Sequence, residues 1–276
     1  MAIQMAALVY GAVGTLRVHP VEKLVSASVG GDVVVSSQQA RLVWEPRRVV
    51  ASYAVPLSDV NGMLEPFTGD SGEEKPVRMG LDGPSVLDPR TPFAVHTCPG
   101  QSLSIRTGST ELAGAAFAPQ DPDLAAYVVL DWGAFDQWYE EADPVMGHPR
   151  DPFDRIDCLR STRHIVVSVD GTTLADSARP TVLFETPLPK RYYVPREDVR
   201  MDLLQPSRTR SVCAYKGLAS YLSADVNGHR VADIAWTYPD PMHDALPVRD
   251  MVAFFSERTD LVVDGVEVPR PVTPWS

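Results

Sequence analysis

The chain repeats itself. Residues 29–60, VGGDVVVSSQQARLVWEPRRVVASYAVPLSDV, run parallel to residues 169–199, VDGTTLADSARPTVLFETPLPKRYYVPREDV, once one small gap is allowed. The alignment places Gly31 on Gly171, Trp44 and Glu45 on Phe184 and Glu185, and Tyr53 on Tyr192. It continues with Pro56 on Pro195 and with Asp59 and Val60 on Asp198 and Val199. Farther along, TCPG at residues 97–100 lies opposite VCAYKG at 212–217, and AAFAPQDP at 115–122 opposite IAWTYPDP at 234–241. Landmarks in one order in both halves mark two copies of one folding unit rather than chance matches. The expected organisation is two tandem copies of a small domain, at 16–149 and 150–276, joined in the 150–159 stretch. The first copy carries extra residues near 61–95, rich in Gly, Pro, Ser and acid. They read as a passive surface loop, because loop-closure entropy grows slowly with length.

The second copy spells out its turns. IVVSVDGTTLADS, SADVNGHRVAD and DLVVDGVEV each set Asp-Gly or Asn-Gly between runs that alternate apolar and polar residues. Such pairs suit two-residue hairpin turns, in which both central residues need positive φ. The 25 prolines disfavour long helices. The fold class expected is mainly β: two small antiparallel domains, each with one short helix. The helical exceptions are residues 125–142, where Val128, Trp132, Phe135 and Tyr139 are spaced three or four apart, and the shorter VRDMVAFFSER at 248–258.

Composition removes some function classes. A net charge of −11 works against sequence-independent nucleic-acid binding, which needs a basic face. No stretch of eighteen apolar residues is available to span a membrane. MAIQMAALVYGAVG lacks the basic leader of a signal peptide. The three cysteines, Cys98, Cys158 and Cys213, have no Cys-x-x-Cys spacing and fit neither a disulfide framework nor a zinc site. A reducing, cytoplasmic compartment is the matching expectation. No His pair has zinc-ligand spacing, and no Gly-x-Ser-x-Gly or phosphate-loop pattern occurs.

RHIVVSVDGTTLADS, LFETPLPKRYYVPREDVRMDLL, CAYKGLASY and IAWTYPDP, with the joining segment GHPRDPFDRID, resemble the duplicated form of the family known as domain of unknown function 427. The resemblance implies a small, mostly β domain of the tent-like kind and brings no established activity or cofactor. Its members carry the label nucleotidyltransferase-like. Nucleotidyl transfer calls for paired acidic residues that hold Mg²⁺, and no such arrangement beside a Gly-Ser turn stands here. Asp198 and Asp202 sit in a proline-flanked turn. Two departures from the family pattern stand out: Ala214 replaces the proline of Cys-Pro-Tyr-Lys-Gly, and the first copy has Gln101 and no lysine after Cys98. The first copy thus reads as degenerate in its site and retained in its fold.

The residues with chemistry to offer gather in the second copy. Cys213 lies three residues from Lys216, whose charge would favour a nucleophilic thiolate; the plain alternative is a small buried thiol. Lys216, between Tyr215 and Gly217, reads as a constrained turn that aims its ammonium inward, to hold an anion or an ion-pair partner. Glu185 follows the apolar run TVLF and could move protons, or else pin its segment in a structural ion pair. Strand alternation puts Arg191 and Tyr193 on one face and Tyr192, the counterpart of Tyr53, on the other. Glu185, Lys216, Cys213 and Tyr193 are the catalytic candidates, and Arg191, Tyr215, Trp236 and His164 the ligand-binding ones. His148, Arg150 and Asp151 sit at the joint and read as a structural junction or the rim of a cleft. The expected function is binding or conversion of a small anionic metabolite. The competing reading is a non-catalytic β module that recognises a partner or metabolite.

Overall fold

A computed structural model describes residues 2–5, 8, 11–78, 85–108, 110–185 and 188–273. These form two compact units that divide between Asp151 and Pro152. The chain is mainly β, and every strand pairing within its sheets is antiparallel.

The second unit has a seven-stranded sheet in the order Ile156–Arg160, Thr181–Glu185, Leu188–Val194, Val252–Phe254, His229–Thr237, Gly217–Val226, Leu204–Cys213. Its four-stranded sheet runs Thr172–Ser177, Ile165–Val169, Asp260–Val263, Val266–Val268. Each hairpin read from an Asx-Gly pair is present. Asp170–Gly171, Asn227–Gly228 and Asp264–Gly265 all take positive φ, between 47° and 80°, as the primed turns require. The apolar residues between the two sheets form the main core, with Ile165, Val167 and Leu174 from one sheet and Val182, Tyr192, Val194 and Ile234 from the other.

The first unit has the same sheet sizes. Its larger sheet runs Arg17–Pro20, Arg41–Trp44, Ser52–Pro56, Tyr127–Leu130, Thr110–Pro119, Gly100–Thr107, Met63–Pro66, and its smaller one Asp143–Val145, Gln137–Glu140, Val25–Val29, Asp32–Ser37. Strand for strand, the chain visits the positions of the two larger sheets in the same order.

Two expectations need correction. Residues 125–142 are not a helix. Tyr127–Leu130 is a strand, Asp131 caps a single 3-10 turn by accepting the Gly133 amide at 3.0 Å, and Gln137–Glu140 is a strand of the other sheet. The helical spacing arises because two short buried strands flank a tight turn, so Val128, Phe135 and Trp138 all reach one core. The counterpart segment at 248–258 likewise holds the strand Val252–Phe254, and the helical turn nearby is the 3-10 turn His243–Val248 just before it. The extra residues near 61–95 are also more than a passive loop. Met63–Pro66 joins the large sheet, Pro76–Arg78 pairs with Ser85–Leu87, and Leu87 is buried. The Arg48 guanidinium donates to the Pro92 and Val95 carbonyls, each at 2.7 Å, and so ties the far end of the segment down.

Candidate functional site

The larger sheet of the second unit has a second apolar face, turned away from the main core. Along Leu188–Val194, Tyr192 and Val194 enter the main core and Tyr193 enters this outer cluster with Leu183, Trp236, Tyr238, Ala253 and Phe255. The period of two along a strand dictates that split.

Lys216 closes over the outer cluster. Gly217 takes φ +92°, a conformation that favours glycine, and starts the next strand. The Met242 amide donates to the Lys216 carbonyl at 3.1 Å and fixes the turn from the other side. The side chain is thereby aimed inward and is almost fully buried, and its ammonium is paired with Oε2 of Glu185 at the end of Thr181–Glu185. Burial is the largest single influence and opposes the ammonium, but the Glu185 charge, Cys213, Tyr193 and the Glu185 hydrogen bond together outweigh it and hold the lysine above its ordinary pKa.

Tyr193 is buried, and its phenol oxygen accepts the Trp236 indole N–H at 3.0 Å. Burial drives its pKa far up, against the Lys216 charge and the Trp236 bond, so the phenol stays protonated and keeps its own hydrogen to donate. Tyr238 is raised for the same first reason, with Tyr193 and Cys213 adding to it. Cys213, half-buried, ends the neighbouring strand within reach of the Lys216 charge. Cys158 shares the outer cluster. Burial raises its pKa while Lys216 pulls it down, and its Sγ lies 3.8 Å from the Asp244 carbonyl.

The structure therefore brings together Glu185, Lys216, Cys213, Tyr193 and Trp236. Tyr215 is buried beside them, its ring 5.5 Å beneath the Arg155 guanidinium. Arg191 lies on the same sheet face, 5.6 Å from the Trp236 ring, but its fork is held by both Glu257 oxygens at 2.6 and 2.8 Å and by Ser256. His164 stands elsewhere, at the start of the smaller sheet, with Nε2 2.6 Å from Asp176. Sequence reasoning missed Cys158, Asp244 and Glu257. Cys158 alone had a signal, as a thiol on a strand that pairs with the one bearing Glu185. Among the described residues, no group of three His, Cys, Asp or Glu side chains could hold a metal ion, and no helix is long and apolar enough to cross a membrane.

Residues 157–265 match the family model described as Domain of unknown function (DUF427). The matched span holds every residue of this cluster from Cys158 to Asp244. No curated protein matches the chain.

The first unit has a cluster in the corresponding place. Glu45 is buried, with Oε1 3.0 Å from His96 Nδ1, while Oε2 accepts the Thr97 amide at 2.7 Å and faces the Cys98 thiol at 3.8 Å. His96 stacks on Phe117, at 3.6 Å between ring centres. The lysine is absent, yet a base still meets the carboxylate.

Proposed function

We propose that the second unit binds, and acts on, a small anionic molecule at the outer face of its larger sheet. In this reading Lys216 holds the anionic group and pairs with Glu185, and Glu185 moves the proton. Tyr193 donates a hydrogen bond, and Cys213 is the nucleophile in reserve. The observation that carries it is the buried Lys216 ammonium, set between a carboxylate, a thiol and a phenol. A buried ion pair adds little to stability over apolar residues of the same size, so its placement beside reactive groups favours chemistry. The three free cysteines suit a reducing compartment. We also read the first unit as a second copy of the same domain, on the matching strand orders.

Alkylation rates test the site. Iodoacetamide should label Cys213 in the native protein faster than in the urea-unfolded chain, and Lys216→Met should slow native labelling. Native labelling slower than unfolded, and unmoved by Lys216→Met, sinks the catalytic reading. A non-catalytic β module is the second reading, favoured by Glu45, whose partners His96, Thr97 and Cys98 come from a single turn.

A further inference from the structure

The smaller sheets of the two units pair in the same register, Val25 with Glu140 in the first and Ile165 with Val263 in the second. The turns that follow also match. Glu141 and Asp264 take φ of 54° and 53°, and their carboxylates accept the backbone amides of Leu24 and His164 at 2.9 and 3.0 Å. Val263 thus stands where the first unit has Glu140, Tyr192 where it has Tyr53, and Arg163 where it has Lys23.

In the first unit that position is filled by a buried carboxylate. Glu140 accepts the Tyr53 phenol at 2.8 Å and pairs with Lys23 at 2.5 Å. In the second unit Val263 offers no acceptor, and a cleft of about 310 Å³ opens instead, lined by Tyr192, Val263, Val266 and Val268 with Arg163 and Lys190. That volume lies at the lower end of the range for small-molecule sites, roughly 300–1,000 Å³. Asp264, the one acidic residue of the lining, is engaged by the His164 amide and by Arg163 at 3.4 Å. The lining therefore has two cations to one carboxylate over an apolar floor.

We propose that this cleft binds a small monocarboxylate with an apolar tail, whose carboxylate takes the place Glu140 holds in the first unit. The Tyr192 phenol donates to it, Lys190 and Arg163 pair with it, and the tail lies against Val263, Val266 and Val268. The site is separate from the Lys216 cluster, and the two stand or fall independently.

Calorimetric titration of the full chain with hexanoate tests this, with hexanol and acetate as the arms that lack the charge and the tail. Hexanoate should bind saturably, one per chain, and both controls at least tenfold more weakly. Val263→Glu, which restores the carboxylate of the first unit, should abolish hexanoate binding. Tyr192→Phe, which keeps the shape and removes one donor to a charged group, should weaken it about tenfold. The proposal is overturned by an absence of saturable hexanoate binding, by equal binding of hexanol, or by binding that ignores Tyr192→Phe.

Discussion

His96 Nδ1 lies 3.0 Å from Oε1 of Glu45, and the other oxygen of that carboxylate faces the Cys98 thiol. Burial first, then the Glu45 charge and hydrogen bond, push the Cys98 thiol up to about 12. Cys98 is therefore a protonated, unreactive thiol at neutral pH. Glu45→Gln removes the charge and leaves the burial. Native Cys98 should alkylate more slowly at pH 8.5 than in the unfolded chain, and Glu45→Gln should speed it, about tenfold for each pKa unit recovered. Mass spectrometry of the Cys98 peptide gives both rates, and identical rates in the two proteins would show that burial alone silences the thiol.

The Glu185–Lys216 pair makes a prediction in alkali. Its folded lysine pKa lies above the ordinary value, so the native state holds this proton more tightly than the unfolded chain does. The contribution is complete below the unfolded lysine pKa, about 10.4, and is lost as pH rises through the folded value. The raised phenol of Tyr193 acts in the same direction, from about pH 10 upward. Urea midpoints should fall steeply above about pH 10, and less steeply in Lys216→Met. At neutral pH either Lys216→Met or Glu185→Gln alone should cost about 3–5 kcal/mol, because each strands a buried partner. Glu185→Leu with Lys216→Met should cost less than the worse single change.

Acid tests a different pair. Glu257 is buried, which would raise its pKa, but hydrogen bonds from Arg191 and Thr273 outweigh burial and hold it below the usual carboxylate range. A depressed carboxylate stabilises the fold above its unfolded pKa, about 4.3, and the contribution disappears as pH falls through the folded value. Asp198, held down chiefly by Arg179, behaves in the same way. Glu257→Gln should therefore be less stable than the parent at pH 7, by about 3 kcal/mol. The two proteins should converge as the pH drops below 4.

How legible the fold was depended on how local its causes are. Asx-Gly turns announce themselves, because the need for positive φ falls on the two residues that show it, as at Asn227 and Gly228. The inward aim of Lys216 was legible for the same reason, through Gly217. Strand alternation placed Tyr192 and Tyr193 on opposite faces correctly. The spacing of Val128, Trp132, Phe135 and Tyr139 misled, because a strand, a tight turn and a strand can imitate one helical face. His96 was hidden because the extra residues before it offset the two halves of the sequence, so alignment showed a lost lysine and no substitute. Glu257 was hidden because it meets Arg191 from 66 residues away, by tertiary packing that no short pattern records.

Gly217 carries the last prediction. A Cβ there would stand 3.4 Å from Met242 Cγ and from the Met242 nitrogen, which the packing can absorb. The φ of +92° is the greater obstacle, since a left-handed backbone costs an L-residue roughly 1–2 kcal/mol. Gly217→Ala should lower stability by about that amount. Relief of the strain would rotate the turn and disturb the Lys216 carbonyl bond to Met242, loosening the ammonium from Glu185. Gly171→Ala is the matched control, at φ +75° with open space around it. Both variants should lose comparable stability in urea titrations, but only Gly217→Ala should speed reductive methylation of Lys216. Equal methylation rates in the two variants would mean that the glycine serves the turn alone and that Lys216 is held by its own packing.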